Sequence, residues 1–213
     1  MKQEKFKYPR TCHLPWSKSI SSDDKILKTT TIFENQRVIV TEKMDGENTS
    51  LYSGCNHARS LDSQNHESRN WVKNFWSNIA HDIPIGWRIC GENMYATHSI
   101  KYENLDTYFY GFSIWNEKNI CLSWDDTVFW FDLLNIKPVR VLYDDIYNED
   151  KVRQIWHTLN PTYNEGYVLR ISDEFPYSYF KKVVGKFVRD KHVNTVKHWM
   201  YGQKMEVNSL KDN

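Results

Sequence analysis

RVIVTEKMDGEN, Arg37 to Asn48, is the stretch on which the reading of this sequence turns. Arg37 to Glu42 is a short β-branched run, Asn48 to Tyr52 resembles it, and Met44, Asp45 and Gly46 between them carry turn chemistry. The segment predicts two strands joined by a tight bend, with Lys43 at the bend. A lysine held there is partly removed from water. Burial and neighbouring cations depress an amine's pKa, which is how a lysine becomes a nucleophile near neutral pH. The plainer alternative is a hairpin with surface charges.

Three further segments put charge inside strand-like surroundings: Gly91 to Asn93 (GEN), Glu165 to Arg170 (EGYVLR) and Gly185 to Arg189 (GKFVR). Glu92 and Glu165 each adjoin a glycine, where backbone can approach a ligand and a carboxylate can hold a ribose hydroxyl or a metal's hydration shell. Between these segments, Asn70 to Ala80 sets Trp71, Val72, Phe75, Trp76 and Ile79 on one helical face. Ser123 and Asp126 form a capping box for a helix through Leu134, with Val128, Phe131 and Leu134 as its stripe. Val152, Ile155, Trp156 and Leu159 predict another amphipathic helix. Strands are expected over 87–95, 107–115, 166–171 and 181–188. Turn-bounded strands dominate and interleave irregularly with helices, so the fold class is α+β with antiparallel sheets flanked by helices. There is no repeat or Gly/Ser linker, and a single domain over 1–213 follows.

Composition narrows the function classes. The 213 residues carry 28 Lys and Arg against 27 Asp and Glu, a net charge of +1, which excludes a global basic coat for nucleic acid. Any polyanion site must be local. Lys181, Lys182, Lys186, Arg189, Lys191, Lys197 and Lys204 face the single acid Asp190 in one stretch, which reads either as that site or as a solvated basic face. No apolar run approaches the ~18 residues of a membrane span, and MKQEKFKYPR lacks a signal-peptide core. An intracellular, cytoplasmic, soluble protein is expected. Cys12, Cys55, Cys90 and Cys121 form no CxxC pair, the eight histidines no zinc spacing, so free thiols and no structural zinc are expected.

Together these segments resemble the covalent nucleotidyltransferases, the superfamily of ATP-dependent DNA and RNA ligases and GTP-dependent capping enzymes. EKMDGEN is similar to their motif I (KxDG) and HARSLDS (His57 to Ser63) to motif Ia. GENMYATHSIKY (Gly91 to Tyr102) resembles motif III, YFYGFSIW (Tyr108 to Trp115) motif IIIa, EGYVLR motif IV and GKFVRDKHV (Gly185 to Val193) motif V. All six occur in the family order. Asn48 and GEN-x-YA-x-HSI look like the compact RNA ligases of the RNA ligase 2 type.

The resemblance implies an ATP-dependent RNA ligase joining 3'-OH and 5'-phosphate RNA ends through enzyme-AMP and AppRNA, with Mg²⁺ or Mn²⁺. It implies that Lys43 attacks the α-phosphorus of ATP, that Lys186 and Arg189 hold α-phosphate oxygens, and that Glu92 accepts from the ribose. Glu165 would orient the metal with Asn48 nearby, and Phe112 would stack on adenine unless it is core. Glu42 would belong to the nucleotide site, Arg59 to the phosphates or the RNA terminus with Asp45 fixing it, and Lys181 and Lys182 to RNA. Two positions depart from the family pattern: Ser113 stands where an Asp often follows the stacking aromatic, and Val188-Arg189 where a second motif V lysine is common. Only 42 residues precede Lys43 and 27 follow Lys186, too few for an OB barrel of ~80 residues, so RNA grip would fall to the core, short extensions or an accessory RNA-binding protein. The rivals are a DNA ligase, a GTP-dependent guanylyltransferase and an inactive nucleotidyltransferase fold that binds RNA.

Overall fold

The computed structural model describes residues 4–190 and 205–212. Twelve strands, numbered in chain order, form two sheets among these residues. The first contains β1 (Cys12–His13), β2 (Arg37–Lys43), β9 (Val141–Ile146), β10 (Gly166–Ile171) and β12 (Val184–Val188), in the order β1-β12-β10-β2-β9. The second contains β3 (Glu47–Leu51), β4 (Asn56–Ala58), β5 (Arg88–Asn93), β6 (Phe109–Trp115), β7 (Ile120–Cys121), β8 (Lys137–Pro138) and β11 (Phe175–Pro176), in the order β11-β7-β6-β5-β3-β4 with β8 beside β6. Pairing is antiparallel except for β1 with β12 and β8 with β6. The α+β class with antiparallel sheets is as expected, and no OB barrel accompanies the two sheets among the described residues.

The Arg37–Lys43 and Glu47–Leu51 runs are strands, but not a hairpin. β2 pairs with β9 and β10, β3 with β4 and β5, so Met44 to Gly46 carries the chain from one sheet to the other. Period-two alternation then divides the first sheet. Val38, Val40, Tyr167, Leu169 and Phe187 are buried on one face, against Leu14, Leu27, Phe33 and Val152. Thr41, Val168 and Lys186 are register partners on the other face, as are Lys43 and Gly166, and that face meets the second sheet.

Among the described residues four α-helices brace the sheets: α1 (Asn70–Ile79), α2 (Trp124–Leu133), α3 (Glu149–Gln154) and α4 (Phe180–Val183). The α1 face chosen from the sequence packs as expected, with Val72 buried and Trp71, Phe75, Trp76 and Ile79 around it. Ser123 caps α2 by accepting from the Asp126 N–H at 3.1 Å. Its stripe is shifted, since Trp124, Thr127 and Phe131 are buried while Val128 is exposed. The expected helix at 152–159 begins earlier, capped by Asn148, and tightens into a 3₁₀ turn over Ile155–Thr158 ahead of Pro161. The stretch 181–188 is not all strand. Phe180 and Val183 are buried one helical turn apart, which leaves Lys181 and Lys182 outside, and β12 starts only at Val184. The four cysteines are unpaired. No helix among the described residues is long and apolar enough to cross a membrane.

Residues 205–212 return to the body of the molecule. Asn208, 1% exposed, donates from Nδ2 to the Met94 carbonyl at 2.7 Å and accepts at Oδ1 from the Tyr102 N–H at 2.8 Å. Bridges at Ala96–Val207 and Leu105–Leu210 flank it. This strap fixes the 94–105 segment, which leads out of β5 and past the site.

Candidate active site

A cavity of about 230 Å³ opens between the two sheets. Lys43 and Lys186 contribute from the first sheet with Val168 between their strands. Asn48, Glu92 and Phe112 contribute from the second. Lys43 ends β2, and its Nζ donates to the Glu165 carboxylate, with the lysine side chain 25% and the glutamate 6% exposed. Glu165 is placed by its position just before β10, where its carbonyl accepts from the Arg189 N–H at 3.0 Å. Gly166 follows for a steric reason: a Cβ there would sit 1.9 Å from the Phe187 carbonyl oxygen, so the β10–β12 approach admits only glycine.

The electrostatics correct one expectation. Burial opposes charge on Lys43, but the carboxylates of Glu165, Glu92 and Asp45 together outweigh it and hold the amine above its ordinary pKa. The nucleophile candidate is therefore an ammonium in this arrangement. Lys186 moves the other way, lowered first by burial and then by the Lys43 cation. Burial is also the main reason the Glu92 carboxyl is raised, to about 8, with Glu165 and Asp45 adding to it and Lys43 opposing. Glu92 Oε1 accepts from the Gly46 N–H at 3.2 Å, and Asn48 is its register partner across β3 and β5. Asn48 Oδ1 is buried with no hydrogen-bond partner, an oxygen available to a ligand.

Other expected residues are placed as follows. Phe112 is half-buried in the cavity wall, so it is accessible to a flat ring. The Glu42 carboxylate is committed to Arg140, at 3.1 Å, and to Asn164. Asp45 does not act as the expected anchor of Arg59. Its Oδ2 accepts from the N–H groups of Ser99 at 2.8 Å and Ile100 at 2.9 Å, tying the first-sheet exit to the 94–105 segment. Arg59 lines the cavity, and its pKa is lowered by burial and then by neighbouring Arg10. Arg189 lies outside the cavity wall, with Nε buried and unpartnered. Lys181 and Lys182 lie on the outer side of α4, Lys182 with its Nζ 4.6 Å from the Tyr179 ring centre. Lys191, Lys197 and Lys204, and motif V beyond Asp190, lie outside the described residues.

Tyr8 was not foreseen. Its ring meets Phe112 edge-on at 5.2 Å and Phe180 at 5.2 Å, and its hydroxyl hydrogen-bonds Ser113. This accounts for the Ser113 departure: a phenol fills the buried space beside it, where a carboxylate would meet the Cys90 and Cys121 sulfurs. Arg170 serves the fold, donating to the Leu122 carbonyl at 2.8 Å over the Phe175 ring. Nothing in the basic run MKQEKFKYPR singles out Tyr8.

A divalent metal fits only a sparse protein donor set. Among the described residues no three His, Cys, Asp or Glu side chains cluster as ligands. The oxygens on offer are the unpartnered Asn48 Oδ1 and the Glu165 carboxylate, hard donors that suit Mg²⁺ or Mn²⁺ when phosphates and water fill the remaining positions.

Comparison with solved structures finds the same fold elsewhere. An archaeal ATP-dependent RNA ligase is similar at a TM-score of 0.58 and 18% identity, over 85% of this chain and 48% of that one. A Naegleria gruberi RNA ligase with PPi is similar at 0.54 and 17%, over 88% and 62%. A putative ATP-dependent DNA ligase from Aquifex aeolicus is similar at 0.54 and 18%, over 74% and 45%. The chain thus spans about half the length of the archaeal ligase. A search of curated proteins gives no match. The family model for RNA ligase matches residues 36–188, a span that runs from the start of β2 to the end of β12 and holds every cavity residue contributed by the two sheets, and the chain belongs to the RNA ligase family.

Proposed function

We propose that this chain is an ATP-dependent RNA ligase acting as a single unit over residues 1–213, with Lys43 as the nucleophile. The observation that carries the reading is one buried constellation: Lys43 on Glu165, with Lys186 and Glu92 around a cavity walled by Phe112 and Val168. Phe112 and Val168 offer adenine two apolar faces, and Glu92, largely protonated near neutral pH, can both donate to and accept from a ribose hydroxyl.

Lys43 starts as the ammonium paired with Glu165. Before attack Lys43 gives up its proton, to Glu165 or water, and the Lys186 and Arg59 cations that hold the ATP phosphates favour the neutral amine. The Lys43 Nζ–phosphorus bond then forms as the bond to pyrophosphate breaks, giving lysyl-AMP. A 5'-phosphate oxygen next takes the AMP phosphorus, the P–N bond breaks and Lys43 regains a proton. Finally a 3'-OH loses its proton, attacks the RNA phosphorus and AMP leaves. Lys186 neutralises α-phosphate charge through these steps, and positioning supplies most of the rate. A bound Mg²⁺ or Mn²⁺ would add charge neutralisation at the phosphates, held through Asn48 and Glu165. A Naegleria gruberi RNA ligase mutant has been solved with ATP and Mn, which supports the use of ATP with a divalent metal. Arg189 enters only through its backbone hold on Glu165. The free thiols suit work in the reducing cytoplasm.

The test is label transfer from α-labelled ATP. Wild type acquires a covalent label, Lys43→Ala acquires none, and α-labelled GTP gives none with either. Equal labelling of both proteins sinks the assignment, and labelling from GTP alone favours a guanylyltransferase.

A further inference from the structure

Two more hollows adjoin the nucleotide cavity in series. The nearer, about 440 Å³, shares Tyr8, Pro9, Arg10 and Arg59 with it and extends to Lys7 and Lys181. The farther, about 590 Å³, shares Lys181 with the nearer one and carries Lys25, Lys28 and Lys182 beside an aliphatic surface. Among the described residues no Asp or Glu lines either hollow. Arg10 is paired with Asp23 at 2.8 Å, whereas Lys7, Arg59, Lys25, Lys28 and Lys181 form no ion pair among the described residues. Ile26 and Ile32, 48% and 43% exposed, lie among the lysines of the farther hollow.

Uncompensated cations at intervals, interleaved with exposed aliphatic surface and leading away from a nucleotide site, match a flexible phosphodiester chain. The positive charge calls for repeated anions, and the isoleucines offer contact to ribose and base faces. The end of that chain nearest Lys43 must be the 5'-phosphate, because that group has to reach the AMP phosphorus and Arg59 borders both spaces. We propose that the 5'-phosphorylated RNA strand follows this track: its terminal phosphate sits among Arg59, Arg10 and Lys181, and its next backbone phosphates lie against Lys25, Lys28 and Lys182. The α4 turn builds the junction, since burying Phe180 and Val183 turns Lys181 and Lys182 outward between the two hollows.

The proposal rests on the RNA ligase reading, and its test is a binding measurement that needs neither ATP nor sealing. Fluorescence anisotropy is read on the full chain with a short single-stranded RNA labelled at its 3' end, carrying either a 5'-phosphate or a 5'-hydroxyl, across a salt series. Wild type favours the 5'-phosphate about tenfold, the worth of one charge-assisted contact, and Lys181→Gln removes most of that preference. Lys25→Gln with Lys28→Gln lowers the slope of log K against log salt by about 1.4, two single-strand phosphate contacts at about 0.7 each. Lys25→Arg with Lys28→Arg keeps the wild-type slope. For a labelled 5'-phosphorylated mononucleotide, which carries no internucleotide phosphate, the glutamine pair changes nothing. Loss of labelling at Lys43 would overturn the ligase reading while leaving these affinities to stand. An unchanged slope in the glutamine pair, or a 5'-phosphate preference intact in Lys181→Gln, overturns the track.

Discussion

Glu92→Gln isolates the cost of burying an acid in the cavity between the two sheets. The amide keeps the shape of the side chain and the Oε1 that accepts from Gly46, and removes only the ability to ionise. Burial raises the folded carboxyl from 4.5 to about 8, so between those values the folded state binds a proton that the unfolded chain has released. Stability supplied by the protonated form is therefore complete below about pH 4.5 and is lost as pH rises through 8. A fully desolvated carboxyl with this change would cost on the order of 4 to 5 kcal/mol once ionised. Glu92 is only half-buried, and water at the cavity mouth screens it, which reduces the expected cost to about 2 kcal/mol. The variant should thus equal wild type near pH 4.5, gain progressively, and level off about 2 kcal/mol more stable above pH 8. Urea unfolding of both proteins at matched pH values reads this difference directly. A gain that does not vary with pH, or a wild type more stable than the variant in alkali, would refute burial as the cause. On the proposed reading, labelling from ATP should persist in the same variant near neutral pH, since the amide, like the protonated carboxyl, can both donate to and accept from a hydroxyl.

Two further outcomes are expected. His13, 1% exposed, has its pKa lowered to about 4 by burial and by the Lys186 cation against the pull of Asp24, so the unfolded chain gains a proton near 6.5 that the folded chain refuses. Wild type should lose about 2 kcal/mol between pH 7 and 4.5, and His13→Gln should flatten that limb in urea unfolding; an unchanged limb would place the acid sensitivity elsewhere. Gly166→Ala drives a methyl into the Phe187 carbonyl and should cost about 3 kcal/mol or more, seen as a lowered unfolding midpoint, with loss of Lys43 labelling because Glu165 moves with the backbone. Wild-type stability in that variant would mean β10 and β12 can separate at no cost.

What the sequence made legible follows from how far each determinant lies along the chain. Strands β2, β3, β5, β6 and β10 announce themselves in runs of a few β-branched and aromatic residues, and the Ser123 cap is complete within four positions. The MDG turn is equally local, yet a turn does not state whether its two strands pair, and here β2 and β3 leave for different sheets because better partners lie far away in β10 and β5. The short α4 escaped for a related reason: two buried positions three apart fit a strand's scatter as well as one helical turn. Lys43, Asn48, Glu92, Phe112 and Lys186 could be picked out as candidates from their own motifs and line the cavity, Arg189 does not, and the sign of the Lys43 shift was not legible. That sign depends on Glu165, 122 residues away, whose carboxylate meets the amine only after β2 and β10 pair. Burial at the bend and neighbouring cations suggested a lowered pKa; the fold instead supplies carboxylates and a raised one. The consequence is chemical as well as predictive. On the ligase reading, an amine stored as an ammonium on Glu165 stays unreactive until it passes that proton on, so the contact that defeats a local reading would also be the one that gates attack.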